Sequence, residues 1–316
     1  MLLTQPPAHA FENVACLQCG SNATTPLVVG EDDLTGKPGR FQFVTCNHCG
    51  LTYQHPRLTL DHIKPYYDDE YIAHRKKTDW GWLTPFYLKA MRRHDLAKLA
   101  LVDRYVDLNA QSKVLDIGCG AATFLQELVA RDKVQATGVD FKDLSHLPGF
   151  EHIDFRCGLL AEHGLPENSF DLITMWHFLE HDYDPINTLT RCHDLLAYDG
   201  KLVIEVPRLD SLSFRLYRER WPGLQAPQHT LLFSKSSLLN MVRSQGLEVV
   251  EYLPYGAFPP YFYLFTGLAF KLLKGRGLNL DRAILPYFIG QLLCAPVLLF
   301  QRHLNLAMQT VVCRRA

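Results

Sequence analysis

The segment Val114-Leu115-Asp116-Ile117-Gly118-Cys119-Gly120 constrains this chain more than any other. An apolar run ends in a carboxylate, glycine recurs at alternate positions, and Ala121-Ala122-Thr123-Phe124-Leu125 opens a helical pattern. Glycine lets backbone approach a ligand with no Cβ in the way. A helix N-terminus adds unpaired N–H groups and positive potential. Roughly twenty residues on, Gly138-Val139-Asp140 closes a second apolar run with another acid. In nucleotide-binding α/β folds an acid at that distance accepts hydrogen bonds from ribose hydroxyls.

The rest of the chain fits such a fold. From Ser112 onward, strand-like apolar runs alternate with helical stretches, the pattern of an α/β domain. Strands are expected at 113–117, 134–139, 153–156, 170–175, 201–206, 247–253 and 306–313. Helices are expected at 122–130, after the Asp184-Pro185 cap, and from the Ser234 cap to Gly246. Tyr198-Asp199-Gly200 reads as a turn before the fifth strand. Thr84-Pro85 caps a helix reaching about residue 107.

Taken in order, VLDIGCG, GVD, NSFDLITMWHFLEHDYDP and LLAYDGKLVIEVP resemble the class I S-adenosylmethionine-dependent methyltransferases, over roughly residues 112–253. Position 123 is Thr, so the third glycine of a dinucleotide-binding Gly-x-Gly-x-x-Gly is missing. The resemblance implies that Gly118 and Gly120 lie beneath the methionine part of the cofactor. It implies that Asp116 orients the turn or the cofactor's amino group, and that Asp140 holds the ribose hydroxyls. Trp176 and His177 would lie near the sulfonium end, or pack in the core. Gly158-Leu159 stands where an acid often receives the adenine amino group. Adenine is therefore left to backbone atoms or another side chain such as Glu162.

Of the nine cysteines, four form two Cys-x-x-Cys pairs, Cys16/Cys19 and Cys46/Cys49, with 26 residues between them. Four thiolates at this spacing suit tetrahedral zinc, with no position open for catalysis; the competing reading is two unrelated cysteine pairs. A hairpin is expected between them, from 26–29 to 41–45 around Thr35-Gly36-Lys37-Pro38-Gly39. The whole looks like a zinc ribbon. A ribbon ahead of a methyltransferase domain is similar to some deoxysugar C-methyltransferases. His55-Pro56-Arg57 and Tyr66-Tyr67-Asp68-Asp69-Glu70-Tyr71 fit that arrangement, although the resemblance stops short of those enzymes' large C-terminal domain.

Two further segments bear on the acceptor. Trp221–Thr230 follows the fifth strand, at the sheet edge where ligands bind. There His229 reads either as a base or as a clamp bonded to backbone. His177, Glu180 and His181 form a second candidate group, in which His177 is a catalytic candidate beside His229, while Glu180 and His181 are discounted as catalysts because Leu-Glu-His belongs to the helix entry in the resembling family. Residues 255–304 hold two apolar stretches, far longer than an ordinary connection. Pro286, Gln291 and Pro296 interrupt the second. Lys271, Lys274, Arg276, Arg282 and Arg302 stand against Asp281 alone. Basic residues around apolar surface suit an anionic bilayer face, so a peripheral membrane contact is expected, with a helical lid or dimer surface as the alternative. A second basic stretch, from His74 to Arg104, includes Arg75, Lys76 and Lys77.

Overall charge excludes a nucleic-acid-coating protein. Lys+Arg is 32 and Asp+Glu 33, residues 1–58 form no basic patch, and Met175-Trp176-His177-Phe178 lacks the Asn/Asp-Pro-Pro-aromatic motif of nucleic-acid methyltransferases. The N-terminal MLLTQPPAHAFEN has no basic n-region or long apolar run. With an odd cysteine count this predicts a reducing, cytoplasmic location, at the inner membrane face if the insertion docks there. The expected architecture is α/β and Rossmann-like: a zinc ribbon over 1–58, a helical linker over 59–110, and a methyltransferase domain over 111–316 with the insertion before its last strand. The expected activity is methyl transfer from S-adenosylmethionine to a small-molecule, sugar or lipid-linked acceptor. The alternative is a zinc-ribbon scaffold with a non-catalytic cofactor domain.

Overall fold

The computed structural model describes residues 6–67, 84–273, 278, 280–298, 300, 301 and 303–316. Asp68–Tyr71, Arg75–Lys77, Lys274, Arg276 and Arg302, all named above, lie outside the described residues, as do the side chains of Asp281 and Arg282.

The N-terminal segment folds as the cysteine spacing predicts. Strands β1 (Phe11–Glu12) and β5 (Arg57–Leu58) pair antiparallel. Between them β2 (Thr24–Gly30), β3 (Phe41–Cys46) and β4 (Thr52–Gln54) form an antiparallel meander. Helix α1 (Leu60–Ile63) follows. Helix α2 (Thr84–Val102) ends earlier than the expected residue 107. The chain instead turns through Asp103 to Val106, whose N–H groups bond back to the carbonyls of Leu99, Leu101 and Val102.

The remaining strands are β6 (Lys113–Ile117), β7 (Gln135–Asp140), β8 (Ile153–Cys157), β9 (Phe170–Trp176), β10 (Leu196–Pro207), β11 (Leu231–Leu232), β12 (Leu247–Leu253) and β13 (Met308–Arg315). Their helices are α3 (Thr123–Asp132), α4 (Pro185–Leu195), α5 (Leu212–Tyr217), α6 (Lys235–Ser244), α7 (Pro260–Leu273) and α8 (Leu280–Leu298). Seven strands make one sheet in the order β12-β13-β10-β9-β6-β7-β8. β8, β7, β6, β9 and β10 run parallel, and β13 runs antiparallel to both neighbours. Val114, Leu115 and Ile117 are all buried, as expected where helices cover both faces of a parallel sheet. Asp184 and Ser234 cap α4 and α6 through their side chains.

Tyr198-Asp199-Gly200 is not a separate turn. These residues lie inside the long strand β10, where the register against β9 shifts between Leu196 and Lys201. A Cβ on Gly200 would meet the Phe170 carbonyl oxygen at 2.6 Å, so only glycine lets the strands run this close.

The ribbon and the α/β domain share a sheet. β11 pairs antiparallel with β4, giving the order β11-β4-β3-β2. Gln54 on β4 strengthens the seam: its Nε2 donates to the carbonyls of Pro227 and His229 at 2.8 and 2.6 Å. The loop carrying His229 is therefore held by the ribbon.

Helices α7 and α8 form the apolar insertion. Tyr217 of α5 donates its hydroxyl to the Leu264 carbonyl at 2.7 Å, and its ring sits where a Cβ on Gly267 would fall. α8 rests on α7 through Tyr287, whose ring lies 5.4 Å from those of Tyr261 and Phe265. Leu285, Ile289, Leu292 and Leu293 on α8 are exposed. No helix among the described residues is long and apolar enough to cross a membrane.

Candidate active site

The carboxyl ends of β6, β7, β9 and β10 converge on one edge of the sheet, where ligands bind in such folds. The turn after β6 is built on positive φ: 74° at Gly118, 52° at Gly120 and 53° at Ala122. A Cβ on Gly118 would strike Phe178 at 2.6 Å, whereas one on Gly120 meets nothing within 4 Å. The first glycine is thus demanded by packing, and the second faces open space suited to a ligand. Gly120 N–H donates to Asp140 Oδ2 at 2.9 Å, and Lys142 N–H to its Oδ1 at 3.0 Å. Asp116 is buried and accepts the Thr174 hydroxyl at 2.6 Å. Burial pushes its carboxyl up to about 7, against the lowering effect of that hydrogen bond.

Trp176 is buried, its ring 5.4 Å from Phe124. Its indole N–H has no hydrogen-bond partner among the described residues. Glu162 Oε2 accepts the Leu159 N–H at 2.8 Å, which commits that oxygen to its own turn.

At the carboxyl ends of β9 and β10 lies a cluster of histidines and carboxylates. His177 adopts φ 59° at the end of β9. Its Nδ1 lies 3.4 Å from Glu180 Oε1 and its Nε2 3.3 Å from Glu205 Oε1. Burial alone would lower its pKa, but the two carboxylates outweigh that and hold it at about 9. His177 is therefore an imidazolium at neutral pH. Glu180 and Glu205 are 1% and 0% exposed. Glu205 also accepts the backbone N–H groups of Ala257 and Phe258, at 2.6 and 3.0 Å. Among the described residues neither oxygen of Glu180 has a close hydrogen-bond partner, the His177 ring at 3.4 Å being its nearest donor.

His229 is 2% exposed, and its Nδ1 lies 2.8 Å from the Gly223 carbonyl oxygen. A carbonyl only accepts, so Nδ1 carries the proton. Its Nε2 is 4.0 Å from Glu180 Oε1, and its ring meets that of His181 edge-on at 4.5 Å. Burial drives its pKa down to about 3, so the ring is neutral at physiological pH. This is the clamp arrangement, and it removes the basicity that a general base near neutral pH needs.

The structure thus gathers His177, Glu180, His181, Glu205 and His229 in one place. Sequence reasoning discounted Glu180 and overlooked Glu205. The available signal for Glu205 was a lone carboxylate inside the apolar run Leu202–Val206.

At the ribbon, the sulfurs of Cys16 and Cys49 are 3.4 Å apart, and those of Cys19 and Cys46 3.6 Å. Tetrahedral zinc with Zn–S near 2.3 Å sets its sulfurs about 3.8 Å apart, so the four fit one ion with small shifts. The two Cys-x-x-Cys turns are alike. Gly20 and Gly50, at φ 70° and 76°, return N–H bonds to the carbonyls of Cys16 and Cys46 at 2.8 and 3.0 Å. Burial raises the Cys46 thiol, but the amides of Cys49 and His48 and the neighbouring thiols bring it down to about 6. Burial pushes the Cys16 and Cys49 thiols the other way, up from the ordinary value.

A Gly-x-Gly turn and an acid-closed second strand, at the carboxyl edge of this strand order, define a nucleotide-cofactor α/β protein. A family described as a methyltransferase domain matches residues 87–252, more than half of the chain. The chain belongs to the class I S-adenosylmethionine-dependent methyltransferases. It is 27% identical over 240 residues to a ubiquinone biosynthesis O-methyltransferase of Idiomarina loihiensis, spanning 71% of this chain and 92% of that one. It is 28% identical over 199 residues to the protein of that name in Aromatoleum aromaticum, spanning 58% and 81%. Among solved structures, the geranyl diphosphate C-methyltransferase of Streptomyces coelicolor aligns with TM-score 0.48 and 11% identity, over 70% of this chain and 78% of that one.

Proposed function

We propose that this methyltransferase acts on an apolar or lipid-linked small molecule at an anionic membrane face. The observation that supports this reading best is the placement of the insertion. Its root, Ala257-Phe258, is bonded to Glu205 beside His177. Its outer helix leaves Leu292 and Leu293 76% and 75% exposed. An acceptor held in a lipid surface could follow that apolar face to the methyl group.

S-adenosylmethionine supplies an electrophilic methyl on a sulfonium, and its leaving group is neutral. In this reading the Gly118–Gly120 turn, its own N–H groups bonded to Val139 and Asp140, lets the backbone come close to the cofactor, the carboxylate of Asp140 holds the cofactor's ribose, and buried Asp116 fixes the turn. The protein's remaining tasks are to orient the acceptor and to exclude water. His177, as an imidazolium between two buried carboxylates, sets the field on the acceptor side. The oxygen acceptors of the ubiquinone O-methyltransferases are a precedent for a hydroxyl here. Cys16, Cys19, Cys46 and Cys49 hold one zinc that stiffens the ribbon, and through Gln54 the ribbon holds the His229 loop.

The test is transfer of labelled methyl from S-adenosylmethionine into fractionated extract, with flotation on anionic liposomes. Label in the lipid fraction together with flotation supports the proposal. Label in a water-soluble product, with no flotation, removes the membrane part. No label in any fraction leaves the scaffold alternative.

A further inference from the structure

We propose that Glu180, His181 and His229 form a second metal site, for one divalent first-row transition ion. One ligand atom from each of the three lies within 4.8 Å of the others. Two imidazoles and one carboxylate are a donor set for Zn, Fe, Mn, Co or Ni rather than for calcium or magnesium, which prefer oxygen alone.

Two observations point to an ion. First, the Glu180 carboxylate is 1% exposed, and among the described residues neither of its oxygens accepts a close hydrogen bond, the nearest donor being the His177 ring at 3.4 Å. A buried carboxylate so thinly partnered is costly, and an ion relieves that cost. Second, both imidazoles are set by backbone carbonyls. His229 gives its Nδ1 proton to Gly223, at 2.8 Å, and His181 gives its own to Gln228, at 3.0 Å. Each ring therefore keeps its lone pair on Nε2, and the Nε2 of His229 is the nitrogen that faces Glu180. Metal-binding histidines are characteristically oriented by such an outer hydrogen bond.

The supports are rigid. Glu180 and His181 lie in the single turn that follows β9. His229 lies in the loop that β4 and Gln54 hold in place, and Thr230 N–H bonds to the Glu180 carbonyl at 2.8 Å. The Tyr67 hydroxyl lies 3.0 Å from His181 Nδ1, and the Tyr67 ring lies 5.2 Å from Phe141, the residue after Asp140. The site therefore borders the cofactor cleft, with three protein donors and coordination positions left for water or an acceptor oxygen. It is separate from the four-cysteine site and does not depend on the acceptor's identity.

The test titrates the full chain, zinc-loaded at its cysteines, with Mn2+, and follows loss of the free-ion EPR signal. Mn2+ favours nitrogen and oxygen over thiolate, so the ribbon stays silent. One bound Mn2+ per chain is expected. Its affinity should fall more than tenfold in Glu180→Gln and in His181→Gln, with S-adenosylmethionine affinity and the melting transition retained. A chain that takes up neither Mn2+ nor a second equivalent of Co2+ overturns the proposal. So does undiminished binding in the folded variants. If Glu180→Gln does not fold, the partly exposed His181→Gln decides between these outcomes by itself.

Discussion

The carboxylate of Glu205 accepts the backbone N–H of Phe258 at 3.0 Å. Glu205 belongs to the central strand β10, and Phe258 stands at the root of the apolar insertion. The same carboxylate faces His177 at 3.3 Å, and the rings of His177 and Phe258 are 5.0 Å apart. One buried acid therefore ties the insertion to the acceptor side of the cleft. Hydrogen bonds to a charged acceptor contribute about 1.5–3 kcal/mol each. Glu205→Gln should loosen residues 257–273 and lower methyl transfer at least tenfold, while S-adenosylmethionine affinity changes less than twofold. Hydrogen exchange over those residues, with calorimetry for the cofactor, checks this.

Asp140→Ala tests the cofactor assignment. The variant removes the carboxylate proposed to hold the ribose and the acceptor for Gly120 N–H. A loss of about 1.5–3 kcal/mol in S-adenosylmethionine binding is expected, or roughly ten- to a hundredfold. Calorimetry showing unchanged affinity defeats the assignment.

The strands and turn of the cofactor half were legible in the sequence because each announces itself locally. Val114–Gly120 and Gly138–Asp140 need only apolar runs, glycine and a terminal acid, and the observed β6, turn and β7 follow them closely. The acceptor half was not legible, because it is made by distant segments. Glu205, Glu180 and His229 sit on a strand, a turn and a loop that meet only after the sheet closes. The role of Gln54 was equally hidden. A glutamine 175 residues from His229 becomes its neighbour only when β4 adds β11 to the ribbon sheet.

Stability should fall at alkaline pH through His177. Its pKa is raised from 6.5 to about 9 in the fold. A raised histidine contributes stability that is complete below its unfolded pKa and is lost as pH rises through the folded value. A shift of this size corresponds to about 2–3 kcal/mol, less what solvent access removes. The melting temperature should therefore decline between pH 7 and 9.5, and His177→Gln should flatten that decline. An identical slope in the variant assigns the alkaline loss to other groups.

Removing the ribbon ion should reach the His229 loop. Thiolate ligation couples metal to local folding, and the ribbon contributes β4 and Gln54 to the seam with β11. Cys46→Ser should lower zinc content and methyl transfer together, with S-adenosylmethionine affinity nearly intact, because the Gly118–Gly120 turn is bonded to Val139 and Asp140 at the end of β7. Gln54→Ala, which leaves all four cysteines in place, should retain zinc yet cost about 1–3 kcal/mol of stability from the carbonyls left unpaired. Metal analysis beside a melting curve separates the two effects, and full zinc in Cys46→Ser would remove the ligand assignment.

The membrane reading turns on the outer face of α8. Leu285, Ile289, Leu292 and Leu293 recur at helical spacing and are all exposed. Exposed apolar patches of this kind mark interaction sites. α8 packs on α7 through the Tyr287 ring set. A charge on its far side should therefore leave the fold and the cofactor turn alone. Ile289→Glu with Leu293→Glu places two carboxylates where an anionic bilayer would lie, adding desolvation and repulsion together. The wild-type chain is expected to float with anionic liposomes at low salt and to release as salt screens the basic residues. The double variant should stay in the soluble fraction while binding S-adenosylmethionine normally. Its methyl transfer to a lipid-borne acceptor should fall at least tenfold, with transfer to a detergent-dispersed form of that acceptor preserved. If the wild type stays soluble and forms a larger species on sizing that the double variant loses, the face joins two copies of this chain instead; if both form that species, the contact lies elsewhere and the membrane reading fails with it.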